Sequence, residues 1–265
     1  MATRRLTGWR WGGQGGFPGG PADDPRQLTL VEHLEEFRRA LIVSLVAWGL
    51  ATGLAFAFNQ QLIAFLERPL HQALVRTHSP FGQKVVVTSP IQGLAIPFEV
   101  AAVAGVVLAL PVIVWQLWRF IAPGLRANER QLAFPFVAGT LVFFALGGVF
   151  AYFVLPVGLS FLATFLGANA VYLPDLGAYL SFLALVVLIF GITFELPVAL
   201  SLLAAVGLLG SRQLSHWRKP GYFVIILVAL IVTPGADPFT PTFLSVALIL
   251  LYEGSILFIR GFLHR

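Results

Sequence analysis

The sequence predicts an all-α, polytopic membrane protein, and three observations carry that prediction. Of 265 residues, 58% are hydrophobic and 11% charged, whereas soluble domains carry roughly 25% charge. The apolar residues run in long uninterrupted blocks instead of short periodic stretches. Between those blocks, Lys and Arg gather on one side of the implied membrane.

Residues 1–27 are rich in Gly, Pro and polar side chains and read as a disordered tail. Arg4-Arg5 has the look of an export signal, but the apolar stretch and small-residue cleavage site that a signal needs do not follow. From Leu28 the pattern changes. Leu30, Leu34, Phe37 and Leu41 recur at helical spacing, with Glu32, Glu35, Glu36 and Arg39 opposite them. This amphipathic set feeds directly into the first apolar block, 40–58, as an interfacial helix continuing into a span.

The later blocks are 94–118, 132–155, 178–209, 221–234 and 239–259. A crossing takes about 20 residues, so the first four blocks suffice. Block 178–209 is too long to cross upright and must tilt, emerge or kink, with Pro197 as the natural break. Block 221–234 is short, and with the last block it forms either two short crossings or a re-entrant hairpin; six spans are preferred. On the side of the N-terminus, fourteen Lys and Arg accumulate against three on the other, Arg68, Arg76 and Lys84. That bias puts both ends in the cytoplasm. It cannot separate the two models of the final pair. Pro97, Pro111, Pro135, Pro156 and Pro197 fall in or beside spans and predict a curved, concave bundle. The domains expected are thus the tail 1–27, a membrane domain 28–260 and a short cytoplasmic end 261–265.

The charge of +5 is expected to face anionic lipid; no basic patch with interleaved aromatics indicates nucleic acid. With no cysteine, thiolate metal sites and cysteine nucleophiles are excluded. His33, His71, His78, His216 and His264 have no ligand spacing, and no phosphate loop or nucleophile elbow occurs. No metal, cofactor or enzymatic activity is expected, so energy comes from outside the chain or from the membrane potential.

Four acids stand where charge is expensive. Glu195 is the only ionisable residue in block 178–209, and a charge near a bilayer centre costs about 2.5–3.5 kcal/mol. It is expected in a cavity or against a partner, with a bond to a neighbouring helix as the plainer option. Glu99 and Glu253 lie nearer block ends. Asp237, in the turn between the last two blocks, suits a turn or helix-cap role. From the residues alone, a small-solute or ion transporter coupled through Glu195 is a competing reading. The absence of inverted repeats and of a second buried ionisable partner counts against it.

Four motifs in order then carry a family likeness. His33-Leu34-Glu35-Glu36-Phe37-Arg38 is similar to the His-Leu-x-Glu-Leu-Arg opening of the TatC family. Trp118-Arg119-Phe120-Ile121-Ala122-Pro123-Gly124-Leu125, followed by Glu129-Arg130, resembles that family's first cytoplasmic loop. Phe190-Gly191-Ile192-Thr193-Phe194-Glu195-Leu196-Pro197-Val198 resembles its fourth span. Thr233-Pro234 with Asp237, then Leu251-Tyr252-Glu253, resembles its closing hairpin. The likeness covers about residues 28–260. It implies six spans in a concave bundle with short fifth and sixth helices, so that the final pair is two crossings.

The resemblance also implies the receptor subunit of the twin-arginine translocase. That subunit works with single-span TatA and TatB partners and other copies of itself, exporting folded twin-arginine precursors on the proton-motive force. Glu36 and Glu129 match the family's signal-binding acids and Phe120 its aromatic, with His33, Arg38, Pro123 and Arg130 in support; plain positive-inside charge explains Arg130 equally well. Two carboxylates at a membrane surface suit arginine guanidinium better than lysine. The likeness departs at Ser89-Pro90-Ile91-Gln92, where the family often has Ser-Pro-x-Glu, and at Glu99, where relatives tend to be basic or neutral.

Overall fold

A computed structural model describes residues 30–76, 85–122, 133–164, 173–233 and 237–262. The expected tail 1–27 and most of 261–265 lie outside them. The described residues form ten helices: α1 (Leu30–Ala57), α2 (Asn59–Leu66), α3 (Arg68–Arg76), α4 (Gln92–Ile121), α5 (Ala133–Thr164), α6 (Leu176–Thr193), α7 (Leu196–Ala205), α8 (Ser211–His216), α9 (Arg218–Val232) and α10 (Phe239–Phe262).

Five stretches are long and apolar enough to cross a membrane: Val31–Ala57, Gln92–Ile121, Ala133–Ala163, Leu176–Ala205 and Phe239–Gly261. The amphipathic set and the first apolar block are one unbroken helix, as the sequence implied. The remaining crossing is α9, which has 15 residues and so spans only about 22 Å. It runs antiparallel to α10. Arg218, at its start, pairs with Glu253 in the second half of α10, while Thr233, just past the end of α9, and Asp237, just before the start of α10, stand at the opposite end. The fifth crossing is thus short, whereas α10, at 24 residues, is shorter than α4 and α5 yet long enough to cross upright.

The over-long block breaks where proline demanded it. After Thr193 the chain makes a turn at Phe194 and Glu195, and α7 restarts with Pro197 in its first positions. Proline lacks an N–H and is harmless there, because the first N–H groups of a helix have no intrahelical partner. Pro97 and Pro111 stay inside α4, and Pro156 inside α5; such prolines bend helices without ending them.

α6 is the centre of the core. Leu180, Leu183, Val186 and Phe190 are buried against Leu70 and Leu74 of α3, Ile96 and Val100 of α4, Ala151 and Leu155 of α5, and Leu244 and Leu248 of α10. Its closest neighbour is α5. A Cβ at Gly147 would stand 2.5 Å from the carbonyl oxygen of Phe190 and 2.9 Å from Cα of Gly191, so the two backbones pass with room for hydrogen only. α1 lies at the edge on α4, where the Trp48 indole N–H donates to the Ala102 carbonyl at 2.9 Å.

On the side opposite the N-terminus, two tyrosines hold the junction of α2 and α3. Tyr152 of α5 donates to the Phe65 carbonyl at 3.1 Å and Tyr179 of α6 to the Leu66 carbonyl at 2.8 Å. Beside them Asp175 ties two loops together. It caps α6 by accepting from the Ala178 N–H at 2.7 Å, and takes the Thr88 hydroxyl at 2.6 Å. The adjoining backbones pair in parallel, Leu176 N–H donating to Val86 O at 2.9 Å.

The Thr88 hydroxyl, followed by the Ala178 N–H, holds the Asp175 carboxyl below its ordinary value of 3.8. A carboxyl lowered on folding stabilises the fold above its unfolded value and loses that contribution as pH falls through the folded one. Asp175→Ala is therefore expected to lower the melting temperature at pH 7, with the difference shrinking as the pH falls below about 4. Parallel melting curves for parent and variant at pH 7 would refute this.

Candidate functional site

The candidate site grows from the first turns of α1. His33 and Phe37 are four residues apart and so share a face. Phe120 comes from the last turn of α4, which runs back toward the same end of the bundle. The His33 imidazole stacks on the Phe120 ring, centroids 4.3 Å apart at 17°, and Phe37 leans on that ring at 5.4 Å and 58°. The three rings bind the start of α1 to the end of α4.

Glu36 stands beside this stack. Its Oε2 is 4.0 Å from His33 Nδ1, too far for a hydrogen bond. That oxygen is shielded from solvent and has no hydrogen-bond partner among the described residues. A shielded acceptor without a donor is costly, and a carboxylate is repaid best by a charged donor. The side chain as a whole is open, 43% exposed, so the arrangement is an acceptor backed by aromatic surface. Arg38 is exposed, about 200° around α1 from Glu36. Glu129, Pro123 and Arg130 lie outside the described residues. Of the sequence-derived set, the structure brings together Glu36, His33 and Phe120, and adds Phe37.

The other acids divide into partnered and unpartnered. Asp237 is buried and accepts from the Thr240 N–H at 2.6 Å, the helix-cap role for α10 that the turn suggested. Glu253 receives Arg218 bidentately, Nε to Oε1 and Nη2 to Oε2 both at 2.8 Å, and the Tyr222 hydroxyl at 2.5 Å. The sequence did not reveal this clamp, although Arg218 and Tyr222 at i and i+4 share a face of α9. Glu99 accepts from the Ser181 hydroxyl at 2.7 Å. Glu195 differs: half-buried at the break before α7, it makes no cap bond, and among the described residues the Thr140 hydroxyl of α5 reaches its carboxyl group. Its Oε1 is buried without a partner.

Among the described residues no three His, Asp or Glu side chains converge as a metal site would require. The chemistry available is therefore recognition by charge and aromatic surface.

The model of the family described as Sec-independent protein translocase protein (TatC) matches residues 32–246. The chain belongs to the TatC family. It is 38% identical to the Magnetococcus marinus TatC over 240 residues, covering 90% of this chain and 86% of that one. It is 35% identical to the Aquifex aeolicus TatC, covering 86% and 93%. Against the Frankia casuarinae TatC it is 34% identical and spans 65% of that protein's length. A crystal structure of the twin-arginine translocase receptor TatC in DDM superposes with a TM-score of 0.71 at 33% identity, covering 86% of this chain and 99% of that one.

As a TatC chain, this is a multi-pass membrane component of a protein translocase and not an enzyme. The family assignment sets aside the small-solute transporter reading of Glu195. It also agrees with the six-helix, concave fold expected from the motifs.

Proposed function

We propose that this chain is the signal-receptor subunit of a twin-arginine translocase in the cytoplasmic membrane, with both termini in the cytoplasm. Glu36, Glu129 and Phe120 bind the twin-arginine signal, with His33, Arg38, Pro123 and Arg130 around them. The observation that carries this reading is the partly exposed carboxylate of Glu36 beside the His33–Phe120 stack. An arginine guanidinium fits both halves of that site, giving forked hydrogen bonds to the carboxylate and a flat face to the aromatic rings. Lysine offers neither. The inner side follows from the Lys and Arg bias. TatA- and TatB-type single-span subunits, further copies of this chain and the proton-motive force complete the working unit.

The test is binding of a twin-arginine signal peptide to the full-length chain in lipid nanodiscs, compared with the same peptide carrying two lysines. The lysine peptide is expected to bind at least about tenfold more weakly, one charge-assisted hydrogen bond being worth 1.5–3 kcal/mol. Equal binding of the two peptides would remove the reading.

Glu195 serves in this proposal as the polar contact for a partner subunit's transmembrane helix, because its Oε1 is buried with no donor of its own. Photo-crosslinks from Ala199, one turn along α7, to a TatA- or TatB-type helix are expected to fall in Glu195→Ala. An unchanged crosslinking pattern would assign Glu195 to contacts within the chain.

A further inference from the structure

A groove of about 560 Å³ opens between the end of α1, α2, α4 and α6, and its lining is apolar throughout, including Leu54, Phe58, Phe65, Val103 and Leu183. Water inside would find no hydrogen-bond partners. Along α4 the groove runs from Val100 to Leu108, about 12 Å of helix. It begins under α2, on the side away from the termini, and reaches toward the middle of the bundle.

The mouth carries one unmatched charge. Arg68 holds its guanidinium carbon 5.6 Å over the ring of Phe65, a lining residue. Its neighbour Glu67 is turned to His71 instead, with Oε2 3.6 Å from Nε2, and Arg68 forms no ion pair among the described residues. Glu99, one residue before the lining Val100 on α4, takes the Ser181 hydroxyl. Tyr152 stacks on Phe65 from the other side, centroids 4.9 Å apart at 11°. Tyrosine is enriched where a membrane meets water, at the level of lipid headgroups. A cation at headgroup level above an apolar slot is complementary to an amphiphile with an anionic head.

We infer that this groove holds one acyl chain of a phospholipid whose phosphate is met by Arg68. The planar guanidinium donates two parallel hydrogen bonds to phosphate, and Phe65, fixed by Tyr152, holds it at the mouth. The chain lies along α4 and α6, so this lipid is a fixed part of the fold and differs from the annular lipid that touches the exposed face of α1.

The test uses the full-length chain in nanodiscs containing a phosphatidylcholine with a diazirine near the end of one chain, followed by peptide mapping after irradiation. Labelling is expected to concentrate on 103–108 and 183–187, above the level at Leu45 and Leu50 of α1. Ala104→Trp, which fills the groove, is expected to remove that excess. Arg68→Gln, an exposed change that leaves the core intact, is expected to weaken it about tenfold, as loss of a charge-assisted hydrogen bond predicts. Labelling no stronger in the groove than on α1, or groove labelling indifferent to Arg68→Gln, overturns the inference.

Discussion

Glu36→Ala is expected to weaken binding of a twin-arginine signal peptide at least about 30-fold, a loss of 2 kcal/mol or more, as when one member of a hydrogen-bonded charge pair is removed. The physical reason is local. The Glu36 side chain is 43% exposed beside the His33–Phe120 stack, so a guanidinium arriving from solvent meets its carboxylate next to an aromatic face. Glu36→Gln keeps the shape and removes the charge, and is expected to be nearly as weak. Phe120→Ala removes the ring on which His33 stacks and against which Phe37 leans; it is expected to loosen α1 from α4 and to reduce peptide binding by a smaller factor. Isothermal titration with the full-length protein measures all three. Wild-type affinity in Glu36→Ala would remove the acid from the site.

Gly147→Leu is expected to prevent assembly of the folded chain. At Gly147 even a methyl group meets the Phe190 carbonyl oxygen at 2.5 Å and its carbon at 2.8 Å. Those are backbone atoms of a helix whose own hydrogen bonds fix them, so the clash cannot be relieved by a rotamer change. Alanine there is expected to cost about 1–3 kcal/mol, the range for overpacking a filled interior, and leucine more. Gly148 next door is the control. A Cβ there meets Val187 Cγ1 at 3.5 Å, ordinary contact, and Gly148→Ala is expected to leave the melting temperature within a degree or two of the parent. Size-exclusion profiles and melting curves in detergent decide the matter; a Gly147→Leu variant that melts with the parent would refute the close α5–α6 approach.

Much of this architecture could be read in the chain. Residues of block 178–209 reappear as α6 and α7, divided at Phe194–Glu195, because a proline without an N–H leaves few places where a helix can restart. Glu36 and Phe120 were singled out by their motifs, and the structure places the Phe120 ring on His33, three residues before Glu36. Their mutual geometry was not legible. That His33 stacks on Phe120, with Phe37 beside it, depends on α4 returning to the level of the first turns of α1, which no local pattern encodes. The i and i+4 spacing of His33 and Phe37 was the available hint. Helices α2 and α3 were invisible for a similar reason. They are 8 and 9 residues long, too short to hold a periodic signal, and tyrosine hydroxyls from α5 and α6 hold their junction. The Arg218–Glu253 clamp likewise joins residues 35 positions apart.

The length of α9 sets a mechanical condition on the surrounding bilayer. About 22 Å of helix stands where the hydrocarbon is ordinarily about 30 Å thick. The clamp to Glu253 ties the start of α9 to α10, which restrains α9 from sliding to share the deficit. The lipid beside it must thin, or water must enter at its ends, at a fraction of a kcal/mol per Å of mismatch. One flank of the bundle is therefore a place where the permeability barrier is already partly compressed by the protein at rest.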